Sequence, residues 1–246
     1  MRKRIYLMFL TLLIVGCKNN AETTEAMAQV ISSDQNTLEN VYSPDAIKII
    51  DSKPVLNGLG EISEYYKNEN PNLMLAESRF RLGANESRGI FYEILEVKTS
   101  KSETLLQLVI WQENEVKELK VCEFEVVSEN FKSNVLRSEI DKRRDLWMSY
   151  CNAHDVEALV NEVYSANTMY YNHRPLVQGR EALIKEYGYM NSPNYSLELN
   201  PIIIEVVNKE TVFEIGQCKG SYNGKYILVW KKDPDGQWRI FFDSNI

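Results

Sequence analysis

The stretch that decides the fold is NEVYSANTMYYNHRPLVQG, residues 161–179, because a related stretch occurs earlier in the chain. Residues 39–58 read ENVYSPDAIKIIDSKPVLNG, with the same Val-Tyr-Ser followed by a proline and then a glycine. A pattern that recurs after about half the chain is the signature of an internal repeat. The sequence therefore predicts two copies of one structural unit.

Further matches lie at nearly the same distance along the chain. The two Val-Tyr-Ser motifs are 122 positions apart, Tyr66 and Tyr187 are 121 apart, and Trp111 and Trp230 are 119 apart. The offset changes by only three positions (122 − 119), which small insertions and deletions in loops explain. The order and spacing of these matches, rather than any single match, indicate the duplication.

The first 16 residues read as a secretory signal and are set apart from the fold. A basic Arg-Lys-Arg start precedes residues 5–16, a mainly apolar run too short to span a bilayer. Its end, Ile-Val-Gly-Cys at residues 14–17, resembles the lipobox of bacterial lipoproteins. That resemblance implies a lipid on Cys17, a tether over residues 17–24, and a cell-envelope location facing the periplasm or the cell surface. An ordinary signal peptide is the alternative.

Length and charge narrow the classes of function. Removing residues 1–16 leaves 246 − 16 = 230 residues, enough for two domains of about 110 residues each. It also removes three positive charges, which takes the formal net charge from −7 to −10. An acidic chain argues against nucleic-acid binding, which depends on lysine and arginine neutralising phosphates. The lipid is then the predicted contact with the membrane.

Cysteine and histidine usage argues against a metal site. Cys122, Cys151 and Cys218 remain after the signal, and no two of them have metal-ligand spacing. We expect them to be free, small, buried residues. The chain contains only two histidines, His154 and His173. No metal or other cofactor is predicted.

The second copy shows the order of elements most clearly. Apolar spacing predicts helices over residues 138–152, 156–164 and 179–187, with Asp155 as the N-cap of the second helix. A short strand is predicted over residues 168–171, between the second and third helices. Four strands that turn sequences separate follow at residues 195–207, 211–219, 225–232 and 237–243.

Helices that cluster early and strands that cluster late predict an α+β fold. Each copy is expected to be a curved antiparallel sheet wrapped around N-terminal helices. The predicted domains are residues 25–130 and 136–246. The first copy is shortened at its start, where only residues 25–31 remain for a helix.

Three stretches of the second copy resemble the nuclear transport factor 2-like superfamily. They are Asn-Ala-His-Asp-Val-Glu-Ala-Leu-Val at residues 152–160, Val-Tyr-Ser at 163–165 and Gly-Arg-Glu-Ala-Leu at 179–183. The ending at residues 224–240 is similar to SnoaL-like and ketosteroid-isomerase-like members. The resemblance covers nearly all of residues 138–246, and the first copy shares it mainly through its match to the second. It implies two tandem cone-shaped domains, each with a pocket between sheet and helices.

The resemblance does not settle activity, because members of this superfamily include isomerases, cyclases, dehydratases, binding modules and dimerisation domains. Isomerase-type members use a tyrosine of the first helix and an aspartate at the end of the first strand. The tyrosine position falls on Trp147. The aspartate position falls on Asn172 in the second copy and on Asp51 in the first. The isomerase machinery is therefore intact in neither copy.

The remaining candidates for chemistry lie in the second copy. His173 has a reference pKa suited to proton transfer, and Asp243 ends the last strand among aromatic residues. A polar turn and a sheet-edge cap are the alternative roles for these two side chains. Glu214, in the middle of a strand, needs a partner if it points inward, and Arg239 could supply one. The residues expected to line the pocket are Trp147, Tyr150, Tyr170, Asn172, Glu214, Tyr226, Trp230 and Phe242.

Three hypotheses follow from these observations. The first is a non-catalytic, lipid-anchored protein that binds a small apolar molecule or another envelope protein. The alternative is an isomerase-, cyclase- or dehydratase-type enzyme in which His173 and Asp243 share proton transfer. The third hypothesis concerns assembly: the two copies pack sheet to sheet as a pseudo-dimer, with a homodimer as the other possibility.

Overall fold

The computed structural model describes residues 35–69, 73–129, 131–173 and 175–246. The predicted signal peptide, the lipid site at Cys17, the tether and the short helix at residues 25–31 lie outside the described residues. Within them the chain forms two α+β units, which we call the first unit (residues 35–127) and the second unit (residues 134–246).

The described part of the first unit starts with a four-residue helix, which lies after the residues predicted to form its short first helix. Its elements are α1 (Gln35–Leu38), β1 (Tyr42–Ile50), β2 (Leu56–Asn57), α2 (Gly58–Glu69), β3 (Leu73–Asn85), β4 (Ile90–Thr99), β5 (Thr104–Glu113) and β6 (Glu118–Val127).

The second unit has the full set of helices predicted from its sequence. Its elements are α3 (Asn134–Asn152), α4 (Val156–Val163), β7 (Tyr164–Tyr171), β8 (Val177–Gln178), α5 (Arg180–Glu186), β9 (Leu197–Val206), β10 (Thr211–Gly220), β11 (Gly224–Lys232) and β12 (Trp238–Ser244). A 3-10 turn, Tyr187–Asn191, follows α5.

Local chemistry fixes the helix starts of the second unit. The Asp155 carboxylate accepts the Ala158 amide at 2.9 Å, which confirms the predicted N-cap of α4. The Ser133 hydroxyl accepts the Leu136 amide at 3.3 Å and caps α3, which begins four residues before the predicted start at residue 138. The predicted helices and the four late strands are otherwise present within a few residues of their expected ends.

The two sheets have the same topology, which supports the duplication. The strand order is β2-β1-β6-β5-β4-β3 in the first unit and β8-β7-β12-β11-β10-β9 in the second. The four late strands of each unit pair antiparallel as expected, and the sheets are mixed because β1 pairs with β6, and β7 with β12, in parallel. The first and last strands of each unit start at the same end of the sheet, and the helices between β1 and β3, or β7 and β9, provide the crossover.

Matching residues of the repeat occupy matching places. Gly58 is the first residue of α2, which follows the short strand β2, and Gly179 immediately precedes α5, which follows the short strand β8. Their φ angles are 80° and 82°. Tyr66 and Tyr187 are each 1% exposed and lie at the end of that helix or just beyond it. The Pro…Gly frame of the repeat therefore supplies a backbone turn that only glycine adopts without strain.

The outer faces of the two sheets pack on each other. The Phe124 ring of the first unit meets the rings of Phe213 and Phe241 of the second edge-on, at centroid distances of 5.9 and 5.8 Å. One continuous apolar cluster includes residues from both sheets. The Ile246 amide donates to the Tyr92 hydroxyl at 3.0 Å, which ties the end of the second unit to the first. The two units thus share a core between their sheets.

Candidate functional site

An irregularity in β12 brings a carboxylate into the second unit. Trp238 and Ile240 lie in the core between sheet and helices, and strict alternation would place Phe242 there as well. The pairing of β12 with both of its neighbours shifts between Ile240 and Phe242, as at a β-bulge. Phe242 therefore lies in the core between the two sheets, and Asp243 turns inward. The prediction that Phe242 lines the pocket was wrong for this reason.

Asp243 is 1% exposed, and only one of its two oxygens has a protein partner. The Tyr164 hydroxyl donates to Oδ2 at 2.8 Å, and the Tyr187 hydroxyl donates to the same oxygen. Burial raises the pKa of Asp243 to about 6, although the two tyrosine hydrogen bonds lower it. The side chain can therefore gain or lose a proton near neutral pH.

Asp243 lines a small cavity walled mainly by aromatic and apolar side chains. The space open to a water-sized molecule is about 10 Å³, about what one water needs. The lining residues are Trp147, Tyr187, Met190, Tyr195, Leu197, Leu199, Cys218, Tyr222, Tyr226, Asp243 and Asn245. Two predicted lining residues, Trp147 and Tyr226, are among them.

Trp147 forms one wall of this cavity from α3. Its ring meets those of Tyr164 and Tyr226 edge-on, at centroid distances of 6.0 and 6.3 Å. The side chain is 4% exposed, and its indole N–H has no hydrogen-bond partner. The residue at the family's tyrosine position is thus rigidly held and presents an unused donor.

The outer side of the cavity carries a series of tyrosines. The Tyr187, Tyr189 and Tyr195 rings contact each other edge-on in sequence, at 6.3 and 5.5 Å. Tyr189 is 50% exposed and Tyr222 is 36% exposed. Sequence reasoning missed this rim, although three of its members, Tyr187, Tyr189 and Tyr195, lie in the tyrosine-rich segment between α5 and β9.

Tyr170 and Asn172 lie beside the cavity rather than in its lining. The Tyr170 hydroxyl donates to the Asn245 side-chain oxygen at 2.6 Å, and the Asn172 amide donates to the Tyr170 hydroxyl at 2.9 Å. Asn245 in turn lines the cavity. The residue at the family's aspartate position is therefore linked to the cavity through two hydrogen bonds.

His173 does not share a site with Asp243. It is exposed, has a φ of 51° in the turn after β7, and is absent from the cavity lining. Burial of part of the ring, and to a smaller extent Arg88, lowers the pKa of His173. The alternative hypothesis, in which His173 and Asp243 share proton transfer, is corrected accordingly: the imidazole lies at the surface. Arg174, next to it, lies outside the described residues.

Glu214 is a structural carboxylate, but its partner differs from the predicted one. It is fully buried and accepts from Arg144 of α3 at 2.7 and 2.9 Å, from the Tyr226 hydroxyl at 2.7 Å and from the Trp230 indole at 2.9 Å. Arg239, the predicted partner, instead binds Asp233 and Asp235. Glu214 and Trp230 thus brace α3 against the sheet and do not line the cavity; nor does Tyr150, which is half-buried.

The corresponding place in the first unit is filled by buried charges. Glu123 lies opposite Val109 as Asp243 lies opposite Leu228, and Tyr42 donates to Glu123 at 3.0 Å as Tyr164 donates to Asp243. Glu123 also accepts from Lys48 and, at 2.6 Å, from Lys120. Burial would raise its pKa, but the two lysines lower it to about 2.

Sequence reasoning missed this ion-pair network, although a signal for it exists. Glu123 precedes Asp243 by 120 positions, and Lys48 precedes Tyr170 by 122, within the offsets of the repeat. Glu125 and Gln107 complete the network, with Lys48 donating to Glu125 at 2.9 Å. The first unit therefore has a closed, charged interior where the second has an aromatic cavity with one carboxylate.

The described residues contain no group of three or more metal-binding side chains placed to hold an ion. The three cysteines predicted to be free are buried and unpaired. No helix in the described part of the chain is long and apolar enough to cross a membrane.

Several solved structures are similar to about half of the chain. An NTF2-like protein of unknown function from Shewanella oneidensis MR-1 has a TM-score of 0.39 and 17% identity, over 44% of this chain and 96% of that one. An NTF2-like superfamily protein from Salmonella enterica serovar Typhimurium LT2 has a TM-score of 0.39 and 16% identity, over 46% of this chain and 91% of that one. A ketosteroid isomerase-like protein from Erwinia carotovora atroseptica SCRI1043 has a TM-score of 0.39 and 12% identity, over 46% of this chain and 95% of that one.

The names of these structures are those of the superfamily that the sequence resembles. No protein-family model and no curated protein matches the sequence. What defines the class of this protein is the observed architecture: two tandem α+β units, each with a six-stranded mixed sheet around its helices.

Proposed function

We propose that the chain is a lipid-anchored protein of the bacterial envelope whose second unit binds a small, largely apolar molecule without catalysing a reaction. The observation that carries the proposal is the aromatic cavity of the second unit, which contains a single carboxylate, Asp243. Sites for small molecules are commonly apolar concavities with a few placed polar groups. A protein of the envelope is the other partner that we consider for the second unit.

Binding is favoured over catalysis by the protonation states of the lining residues. Burial raises the pKa of Cys218 to about 12 and holds those of Tyr187 and Tyr226 well above their usual range. Asp243 is thus the lining residue whose charge changes near neutral pH. General acid–base catalysis at a carbon centre commonly needs a second proton-transfer group or a charge stabiliser. His173, the expected second group, lies at the surface.

The first unit has a supporting role in this proposal. Its equivalent interior is occupied by Lys48, Lys120 and Glu123, so that an apolar molecule would have to displace paired charges. Displacing one partner of a buried ion pair is strongly unfavourable. The outer sheet face of the first unit covers that of the second, which keeps the binding unit folded as part of a larger core.

A thermal-shift screen tests the binding proposal. Compact apolar probes such as toluene and indole are expected to raise the melting temperature of the full-length protein in proportion to the logarithm of their concentration. The Met190→Ala variant enlarges the cavity and should increase that rise. Met148→Ala, at a half-buried residue that is not among the lining residues, is the matched control and should leave it unchanged. Absence of any shift in all three proteins would contradict the proposal.

An enzyme of the isomerase, cyclase or dehydratase kind is the second candidate, favoured by the raised pKa of Asp243 and by its unpartnered oxygen. In that case Asp243 alone would move the proton, and its two tyrosine partners would stabilise the charge. Asp243→Asn would then abolish turnover of a bound compound while binding persists. Turnover that survives this substitution would remove Asp243 from the mechanism.

Lipid anchoring at Cys17 is proposed from the lipobox resemblance alone, because Cys17 lies outside the described residues. Expression in bacteria fed an alkyne-tagged fatty acid should label the wild-type chain, and Cys17→Ser should not be labelled. Cys122→Ser controls for non-specific acylation of a thiol, since Cys122 is buried between the sheets. Absence of label on the wild-type chain would indicate an ordinary signal peptide, and equal labelling of wild type and Cys17→Ser would mean that the lipid is on another residue.

A further inference from the structure

Two buried polar atoms in the cavity of the second unit have no partner. One is Oδ1 of Asp243, and the other is Nε1 of Trp147. Both residues line the same cavity and are more than nine-tenths buried. Buried polar atoms in native proteins are almost always hydrogen-bonded, so an unpaired donor and an unpaired acceptor in one cavity indicate a missing partner.

Three other polar side chains of the lining are hydrogen-bonded within the protein. Tyr187 donates to Oδ2 of Asp243, Tyr226 donates to Glu214, and Asn245 accepts from Tyr170. Among the buried side-chain nitrogen and oxygen atoms of the lining, those left without a partner are the indole N–H, a donor that cannot accept, and one carboxylate oxygen. A hydroxyl group complements both at once, because its oxygen accepts while its hydrogen is donated.

We infer that the second unit selects a compact apolar molecule that carries a hydroxyl group, an alcohol or a phenol, held between Trp147 and Asp243. This inference rests on the proposed binding function and specifies the ligand class for that site. The aromatic walls would contact the apolar body, and the hydroxyl would supply the specificity. Sites built to hydrogen-bond a hydroxyl discriminate strongly against analogues that lack it, because the buried polar groups are then left unpaired.

Entry of such a molecule requires the cavity to widen, since the present space holds about one water molecule. Met190 is the lining residue best suited to move, because an unbranched thioether side chain adapts its shape at low cost. It lies in the 3-10 turn that also carries Tyr187 and Tyr189. The same turn therefore connects the rim of the cavity with the Asp243 hydrogen bonds.

The protonation state of Asp243 should govern whether the cavity prefers a ligand that donates a hydrogen bond or one that only accepts. The groups nearest Asp243 are the Tyr164 and Tyr187 hydroxyls, which donate to Oδ2, and the Cys151 and Cys218 thiols, which stay protonated because burial raises the pKa of each to about 12. The Tyr92, Tyr189 and Tyr195 hydroxyls also interact with it, and burial holds the pKa of each well above its usual range. No lysine or arginine is among the lining residues. Ionised Asp243 accepts from a hydroxyl, whereas protonated Asp243 can instead donate to a carbonyl or ether oxygen.

Titration calorimetry with phenol and toluene tests the inference on the full-length protein. The two probes have nearly the same shape, and only phenol has a hydroxyl. At pH 7.5 we expect phenol to bind about tenfold more tightly than toluene, the discrimination typical of one charged hydrogen bond after desolvation. Anisole, whose oxygen can accept from the Trp147 N–H but cannot donate to ionised Asp243, should bind more weakly than phenol at pH 7.5 and should gain affinity below pH 6.

Two variants locate the effect. Asp243→Leu and Trp147→Phe should each reduce the preference for phenol, and the wild-type comparison keeps the test valid if either variant fails to fold. Equal affinities for phenol and toluene in the wild type, as expected if only a water molecule bridges the two atoms, would overturn this inference and leave the proposed function standing. Binding of neither probe would overturn both.

Discussion

Asp243 should make the stability of the protein depend on pH. Its pKa is about 6 in the folded protein and 3.8 as the reference value, so the folded state binds the proton more tightly. The stabilisation that protonation provides is complete below pH 3.8 and is lost as the pH rises through 6. At 1.36 kcal/mol per pKa unit, the loss is about 3 kcal/mol.

Asp243→Asn removes this titration and keeps an acceptor for Tyr164 and Tyr187. As the pH rises from 4 to 6, the wild type should lose stability while the variant does not, so the unfolding free energy of the variant increases relative to that of the wild type. Above about pH 7 the difference between the two should be constant. Urea denaturation at pH 4–8 measures this. Asp235→Asn is the control, because Arg239 holds the pKa of Asp235 at about 2 and no change with pH is expected in this range. A flat difference for Asp243→Asn would show that its pKa is not raised.

Lys48 illustrates the opposite environment, in which a buried charge is fully paired. It is fully buried and bonds Glu123 and Glu125. Lys48→Met leaves those carboxylates with one cation fewer and should cost about 3–5 kcal/mol of unfolding free energy, the usual cost of breaking a buried pair. Lys53→Met removes an exposed pair with Glu69 and should cost about 1 kcal/mol or less. Similar losses in both variants, measured by chemical denaturation, would contradict the closed network described for the first unit.

At the scale of single residues, the sequence predicted which residue types matter better than it predicted their partners. Asp243 was recognised because a carboxylate among aromatics is unusual, and the structure places it in the cavity. Its tyrosine partners were not identified, because Tyr164 and Tyr187 are distant in sequence from it. The sequence left two roles for His173, proton transfer or a polar turn, because a positive φ in a turn has no clear sequence signal for a non-glycine residue; the residue lies exposed in such a turn.

At the scale of secondary-structure elements, the repeat and the turn residues predicted most of the order of helices and strands. They did not predict the β-bulge in β12. Hydrophobic periodicity located the helices and the four late strands. Alternation along β12 nevertheless assigned Phe242 to the wrong face, because one extra residue reverses the alternation beyond it. The same irregularity occurs in β5 and β6 of the first unit, between Ile110 and Trp111. Comparison of the two copies could have revealed it.

The glycine that begins α2 should be far less tolerant of substitution than its neighbour in the same helix. Gly58 has a φ of 80°, and an added Cβ would lie 3.2 Å from the Pro44 carbonyl oxygen. Gly58→Ala should therefore cost about 1–3 kcal/mol. Gly60→Ala meets nothing within 4 Å and should stabilise the protein by about 0.5–1 kcal/mol, because alanine is the better helix former.

Thermal or urea unfolding of both variants measures this difference, and Gly179→Ala repeats it in the second unit. Gly179 has φ 82° and ψ 158°, a region that is essentially limited to glycine. Loss of stability in Gly60→Ala equal to that in Gly58→Ala would indicate that residue bulk, rather than backbone conformation, explains the conserved frame of the repeat.

At the scale of the whole molecule, the duplication preserved the frame and diverged in its contents. Both units keep a tyrosine pair that meets a carboxylate: Tyr42 and Tyr66 beside Glu123, and Tyr164 and Tyr187 beside Asp243. Two lysines neutralise that carboxylate in the first unit and none does so in the second. The same arrangement of side chains thus forms a closed charged network in one unit and a small aromatic cavity in the other, which is why fold alone does not define function here.

The packing of the two sheets leads to a prediction about assembly. Each unit covers an apolar sheet face of the other, and the edges of the contact carry ion pairs between Asp51 and Lys231 and between Arg79 and Glu205. The intact chain should therefore be a monomer, since the face that would otherwise associate is covered. The second unit alone, residues 134–246, would expose that face, and a large exposed apolar patch favours association.

Light scattering coupled to size-exclusion chromatography distinguishes the two cases. The isolated second unit should run as a dimer or larger species, and Phe213→Lys in that fragment should return it to a monomer, because Phe213 lies on the exposed face and meets Phe124 in the intact chain. Val135→Lys, at a residue 67% exposed on α3, is the control and should not change the mass. An intact chain that dimerises and loses the dimer on Phe213→Lys would mean that the two sheets of one chain do not cover each other in solution. A monomeric chain together with an associating fragment would establish that the first unit takes the place of a second subunit.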